Sequence, residues 1–279
     1  MKLLESSGRV AVLVPLYKPS LFKAEEFSLR NTLDVLGNHD IHVIGPAKLR
    51  EYFESYKKRT GSNFQVALYQ DKYFSSIKGY NRLLMSKFFY ESFSEYEYIL
   101  ILQTDALVFS DQLDDWCKRK YSYIGAPWIV RENNSEYPPA FLGVGNGGLS
   151  LRKVEDFIRV LSIPRYLPIP DIVLNYEKKR MTPHEGLPKF MHKFIFSYSV
   201  WPVLPRVSED IFWGMLVPKR CQFFRVPAPE EAIPFAFEVE PNYMFELNHY
   251  ELPFGCHAWE KYDINFWRQV LAERGMKLP

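Results

Sequence analysis

In "YILILQTDALVF" (98–109) an apolar, β-favouring run ends in Gln103, Thr104 and Asp105 before apolar residues resume. An acid where a core strand stops is either a turn residue or a hard oxygen ligand offered to a cation. Further on, "SEDIFWG" sets Glu209 and Asp210 side by side behind a serine, at what reads as a helix start. Adjacent acids there either complement the helix dipole or supply a base that takes a proton from a hydroxyl. "GVGNGGLSLR" gathers four glycines and Asn146 in one bend. That is a plain tight turn, or a place where backbone comes close to a ligand. His257, in "GCHAW", has Phe254 and Trp259 nearby in sequence, and standing alone it reads as a packed core histidine.

The elements that must position these residues follow from periodicity. "RVAVLVPLY" (9–17), "DIHVIGP", "FQVALYQ" (64–70) and the opening run read as buried strands. Between them, "LFKAEEFSLRNTLDVLG" (21–37), "KLREYFESYKKRTG" and "SIKGYNRLLMSKFFYESFSEY" (76–96) carry apolar residues at helical spacing. The first two end in a Gly stop. Alternating strands and helices predict an α/β domain with a central mixed, mainly parallel sheet. In such sheets ligands bind beyond the carboxyl ends of the strands, where Asp105 falls.

After about residue 120 the pattern changes to shorter pieces. "YSYIGAPW" reads as a strand, "PPAFLGVGNGGLSLR" as a bend entering a strand, and "KVEDFIRVLS" as a helix. "SEDIFWGMLV" reads as a helix with a serine cap, and a final helix starts near Ile264. Residues 163–206, rich in proline, read as an ordered insertion or lid rather than a linker, because their aromatic residues need burial. The whole is one domain, with a first half over about 9–110 and a second half over about 120–262.

Composition excludes several classes. A net charge of +2 over 279 residues argues against nucleic acid as the partner. Short basic clusters such as "KKR" at 57–59 and 178–180 read as solvated helix faces, with weak contact to an anionic membrane as the alternative. Three widely spaced cysteines suit a reducing compartment and give no metal-site spacing. "MKLLESSGRV" is too polar for a secretory signal, and no apolar run approaches the roughly 20 residues of a membrane span. The expectation is a soluble, cytoplasmic protein. Neither GxGxxG nor a P-loop occurs, which removes dehydrogenases and P-loop ATPases.

Taken in order, "VPLY", "SIKGYNRLL", "LQTDALVF", "IGAPW", "GNGGLSLR", "SEDIFWG" and "PFGCHAWEK" resemble a glycosyltransferase of the GT-A fold. More narrowly, they resemble a bacterial and fungal glycosyltransferase-like domain family formerly of unknown function. The resemblance runs from about Val10 to Lys261. It implies a hexosyltransferase that moves a sugar from a nucleotide-sugar donor, UDP-linked by preference, to a hydroxyl of a glycan or lipid-linked acceptor. It also implies polysaccharide assembly at the cytosolic face of a membrane.

Residue by residue, the resemblance makes Asp105 a ligand of Mn²⁺ or Mg²⁺, with His257 completing the site. The family's Asp-x-Asp pattern has Gln103 in its first position here, a neutral residue that can hydrogen-bond a ribose or a metal-bound water. Asp210 becomes the base of an inverting transfer and Glu209 its neighbour that orients the acceptor; the two could exchange roles, and retention is the alternative stereochemistry. Pro15, Leu16 and Tyr17 fall where the nucleotide base is held, and Lys78 and Asn81 where ribose or phosphates lie. Thr104 joins Gln103 on the donor side, and Asn146, Gly147 and Gly148 flank the donor sugar. Trp128, Trp213 and Trp259 are candidate acceptor platforms, against core packing for each. Two rivals are a sugar nucleotidyltransferase, which would normally carry a Gly-rich loop after the first strand, and a non-catalytic nucleotide- or glycan-binding relative, which Gln103 favours.

Overall fold

The computed structural model describes residues 9–130, 139–163 and 207–279. The insertion expected over 163–206 lies outside them from residue 164 onward, as does "KKR" at 178–180.

Four strands pair in parallel in the order β3-β2-β1-β4: β1 (Val10–Pro15), β2 (Asp40–Pro46), β3 (Gln65–Tyr69) and β4 (Tyr98–Leu102). Every residue of β1 and β4 is buried, as a strand covered on both faces requires. This is why both sequences read as continuous apolar runs rather than alternating ones. Connections are helical: α1 (Lys23–Val35), α2 (Arg50–Thr60), α3 (Ile77–Leu84) and α4 (Lys87–Glu91). The predicted stop of α2 is Gly61, whose left-handed backbone (φ 68°) lets its N–H reach the Lys57 carbonyl at 2.9 Å.

One long helix was expected over 76–96, and the chain instead forms two. The Ser86 hydroxyl donates to the Leu83 carbonyl at 2.6 Å, and Ser86 itself takes an extended conformation that starts α4 anew. A serine that bonds back to its own helix competes with the helical ladder, and apolar spacing alone does not register that break.

The opening run is also split. β4 stops at Leu102, and β5 (Ala106–Val108) leaves the sheet altogether. After α5 (Leu113–Lys118) come β6 (Tyr123–Ile124), β7 (Pro127–Val130), β8 (Ala140–Val144) and β9 (Leu149–Lys153). β9 lies antiparallel to β4 and carries β6 on its far edge, making a mixed six-stranded sheet. α6 (Val154–Leu161) follows, and β7 and β8 form a separate hairpin. A third sheet joins β10 (Ala236–Phe237), β11 (Gly255–His257) and β5 in that order. The layout is the mixed, mainly parallel α/β arrangement anticipated from the sequence, with a small sheet added at the carboxyl end of β4. The final helix, Ile264–Ala272, starts where expected.

Candidate functional site

The three-stranded sheet brings three polar residues together through its register. β11 is central, and its last residue, His257, pairs with Ala106 of antiparallel β5. Asp105, one residue earlier, therefore flanks His257 on one side. β10 runs parallel with Phe237 opposite Cys256, so Glu238, one residue later, flanks it on the other. His257 Nδ1 lies 2.9 Å from Glu238 Oε1, and Nε2 lies 3.3 Å from Asp105 Oδ1. The Nδ1 contact is a hydrogen bond. Nε2 makes none and is buried. The His257 side chain is 14% exposed and that of Asp105 45%, so the aspartate is the member of the pair that faces solvent.

Charges in this cluster shift one another. Burial works against a charged His257, but the two carboxylates outweigh it and lift the imidazole pKa to about 9. Burial likewise works to raise Asp105, yet the adjacent imidazole prevails and holds the carboxyl below its usual range.

The glycine bend joins this cluster to the paired acids. Gln103 N–H donates to the Gly148 carbonyl at 2.8 Å, which extends the β4–β9 pairing into the bend. A Cβ at Gly148 would collide with His257 Nε2, and one at Gly147 would collide with Glu209 Oε1. Both positions exclude larger residues by contact. Asn146 supplies the left-handed turn (φ 76°). Its Oδ1 accepts from Gly148 N–H at 2.9 Å, while its buried Nδ2 has no hydrogen-bond partner.

Glu209 and Asp210 start a helix of three residues that continues as a π-turn over Phe212–Leu216. Such turns recur at functional sites. Ser208 occupies the cap position but its side chain makes no cap bond, so the serine cap expected from "SED" is not formed. The two acids differ sharply. Glu209 is 3% exposed and bonded at 2.9 Å to Arg152, itself fully buried. Arg152 also donates to Tyr90 and Ser150, each at 3.0 Å. Burial raises the Glu209 pKa above its ordinary value, with Arg152 opposing. Asp210 is partly exposed, and its Oδ1 accepts from Ile211 N–H at 2.9 Å. Glu209 is thus fixed inside the fold and Asp210 is the acid turned outward.

The remaining candidates divide. Tyr17 is 55% exposed at the end of β1, whereas Leu16 and Pro15 are buried beneath it. Lys78 is exposed and Asn81 half-buried on α3; Thr104 is buried at the turn after β4. Of the three tryptophans, two cannot serve as acceptor platforms. Trp213 is fully buried and packs at 4.0 Å between ring centroids on Phe157, and buried Trp259 donates to Ser28 Oγ at 3.1 Å. Trp128 is partly exposed beside Gly145. Other ring faces come from Tyr243 and Tyr262, which line a groove of about 560 Å³ with Asn242, Glu246 and Lys261. Lys261 has its pKa raised, first by the Tyr262 hydroxyl and then by the Glu238 and Asp105 carboxylates, so this groove lies within the field of the His257 cluster.

Sequence reading missed Glu238 and Arg152. Glu238 follows a strand of two residues, too short to register as periodic. Arg152 stood in a quoted motif, but only its absence from solvent reveals its partner.

The model of a family described as "Protein of unknown function (DUF5672)" matches residues 63–257, well over half of the chain. The chain belongs to that family. The DUF5672 match takes in Asp105, the glycine bend, both acids and His257. No curated protein matches the sequence. Solved structures similar to it include the glycosyltransferase GlyE of Streptococcus pneumoniae TIGR4, at 11% identity and a TM-score of 0.47, covering 94% of this chain and 60% of GlyE. Mouse xyloside xylosyltransferase 1 stands at 12% and 0.48, covering 89% and 97%. The galactosyltransferase LgtC, solved with donor and acceptor sugar analogs, stands at 11% and 0.49, covering 94% and 95%. The chain spans only 60% of the length of GlyE. With TM-scores below 0.5, these likenesses carry no argument about the donor, acceptor or mechanism of this DUF5672 protein. Among the described residues no helix is long and apolar enough to cross a membrane.

Proposed function

We infer that this protein is a glycosyltransferase that moves a hexosyl group from a nucleotide-sugar donor, UDP-linked by preference, to a hydroxyl of a glycan or lipid-linked acceptor. The observation that carries this reading is the glycine bend, which has His257 against one glycine, with Asp105 beside the imidazole, and Glu209 and Asp210 against the next. Cation ligands and a base are what such a transfer needs within reach of one bond.

Asp105 and His257 suit a divalent cation, Mn²⁺ or Mg²⁺. Nε2 is buried yet unbonded, with the Asp105 carboxylate 3.3 Å away and glycine at position 148 leaving room for the ring. Among the described residues no cluster of three such ligands occurs; a cation shared with substrate phosphates is commonly held by one or two protein ligands. When bound, the cation supplies positive charge opposite the diphosphate as the glycosidic bond breaks. Gln103 leaves the site one charge poorer than a paired-acid motif.

The chain's own residues do the rest. The exposed ring of Tyr17 packs on the nucleotide base, and Lys78 and Asn81 reach toward ribose and phosphates. Asp210 Oδ1 is held by backbone, and Oδ2 takes the proton from the acceptor hydroxyl, giving inversion. Glu209, gripped by Arg152, fixes the backbone from which Asp210 projects. The acceptor lies across the groove lined by Tyr243 and Tyr262.

UDP-, GDP- and CDP-sugars, each with and without Mn²⁺, test the reading. Transfer or donor hydrolysis that needs Mn²⁺ supports it. Nucleotide incorporation from a triphosphate, or metal-independent binding without turnover, contradicts it.

A further inference from the structure

His257 is the middle member of a line of three side chains, with Asp105 on one side and Glu238 on the other. Glu238 sits behind, at the end of β10, 2.9 Å from Nδ1 and only 15% exposed. An ionised carboxylate can only accept, so the proton of this contact sits on Nδ1. With Nδ1 engaged by Glu238, Nε2 is the ring nitrogen turned toward Asp105, 3.3 Å from Oδ1, and it is buried without a hydrogen bond. Position 148 is glycine, and a Cβ there would fall on Nε2.

We propose that Glu238 is a positioning residue. It fixes the ring orientation of His257 and, with a cation bound, its tautomer, so that Nε2 beside Asp105 is the nitrogen offered to a divalent cation, with glycine at position 148 leaving room for the ring. The inference rests on the proposed metal role of Asp105 and His257 and adds a residue to it. Carboxylates behind a ligating histidine act in this way because they fix the ring and raise its basicity as a ligand. The register supports a built device rather than a chance contact. β10 has two residues, and the pairing of Phe237 with Cys256 brings its next residue alongside His257.

The test is Mn²⁺ binding, followed by the electron paramagnetic resonance of free Mn²⁺, with and without UDP. Wild type, Glu238→Gln, Gly148→Ala and His257→Ala would be compared, and thermal midpoints would certify folding. Glu238→Gln keeps the shape and loses the charge; its Mn²⁺ affinity should fall about 10- to 100-fold. UDP binding without metal should stay unchanged. Gly148→Ala should also lose Mn²⁺, by displacing the ring. If His257→Ala loses Mn²⁺ while Glu238→Gln binds it as wild type does, the role of Glu238 is overturned and the metal pair stands. If wild type binds no Mn²⁺ under either condition, both fall. A second readout needs no variant. In wild type loaded with Mg²⁺ and UDP, long-range proton–nitrogen NMR should find the His257 proton on Nδ1; a proton on Nε2 overturns the proposal.

Discussion

β1 and β11 are both central strands, yet they meet their neighbours in different ways. β1 is six residues long and wholly buried, and it pairs with β2 and β4 along its length. β11 is three residues long, and the residues just past the ends of its two neighbours are carboxylates that converge on its own last residue. β1 and β4 of the large sheet are apolar throughout and hold the fold by burial. The small sheet is too short to contribute much burial, and its strand ends are where charge can reach solvent. The difference teaches that stability and chemistry are placed on separate sheets, with the glycine bend after β8 touching both. A charged network, Arg152 of β9 with Glu209, crosses from the large sheet toward the chemistry.

That network should give the largest effect. Arg152→Met leaves Glu209 buried without its partner and should cost about 3–5 kcal/mol of stability, measured by denaturant unfolding. A double variant with Glu209→Gln should recover part of it. If Arg152→Met unfolds like wild type, the crossing pair is not structural. Within the large sheet, Leu100→Ala should cost about 2–5 kcal/mol and leave donor binding intact at temperatures where the variant is folded. Asp210→Asn should do the reverse. Transfer should fall by roughly 10²-fold or more, as loss of a general base does, with the unfolding midpoint and donor affinity unchanged. The smallest effect belongs to the groove: Tyr262→Ala should raise the acceptor KM severalfold and leave the donor KM alone. A donor effect of equal size would detach the groove from the acceptor.

The same division explains what could be read from sequence. β1 to β4 and their helices were legible because each strand is long enough to show its burial and each helix its spacing. The break at Ser86 was not, since apolar residues continue through it. β5 read as more of β4 because both are apolar; only pairing distinguishes them, and β5 pairs with a strand about 150 residues away. Asp105 and His257 were named from separate motifs, and the structure sets them side by side. Glu238 carried no signal, because its role depends entirely on a register between strands of two and three residues. Trp213 and Trp259 were candidates as large aromatic residues beside polar motifs, but rings of that size are also the best fillers of a core, and here they fill it.

The central claim is that the Asp105–His257 pair holds a cation against a nucleotide diphosphate. Calorimetric titration of UDP into wild type and Asp105→Asn, each with and without Mn²⁺, tests it most directly. The predicted result is that Mn²⁺ tightens UDP binding to wild type and has no effect on Asp105→Asn, while both bind metal-free UDP alike. An equal gain from Mn²⁺ in both proteins would contradict the account.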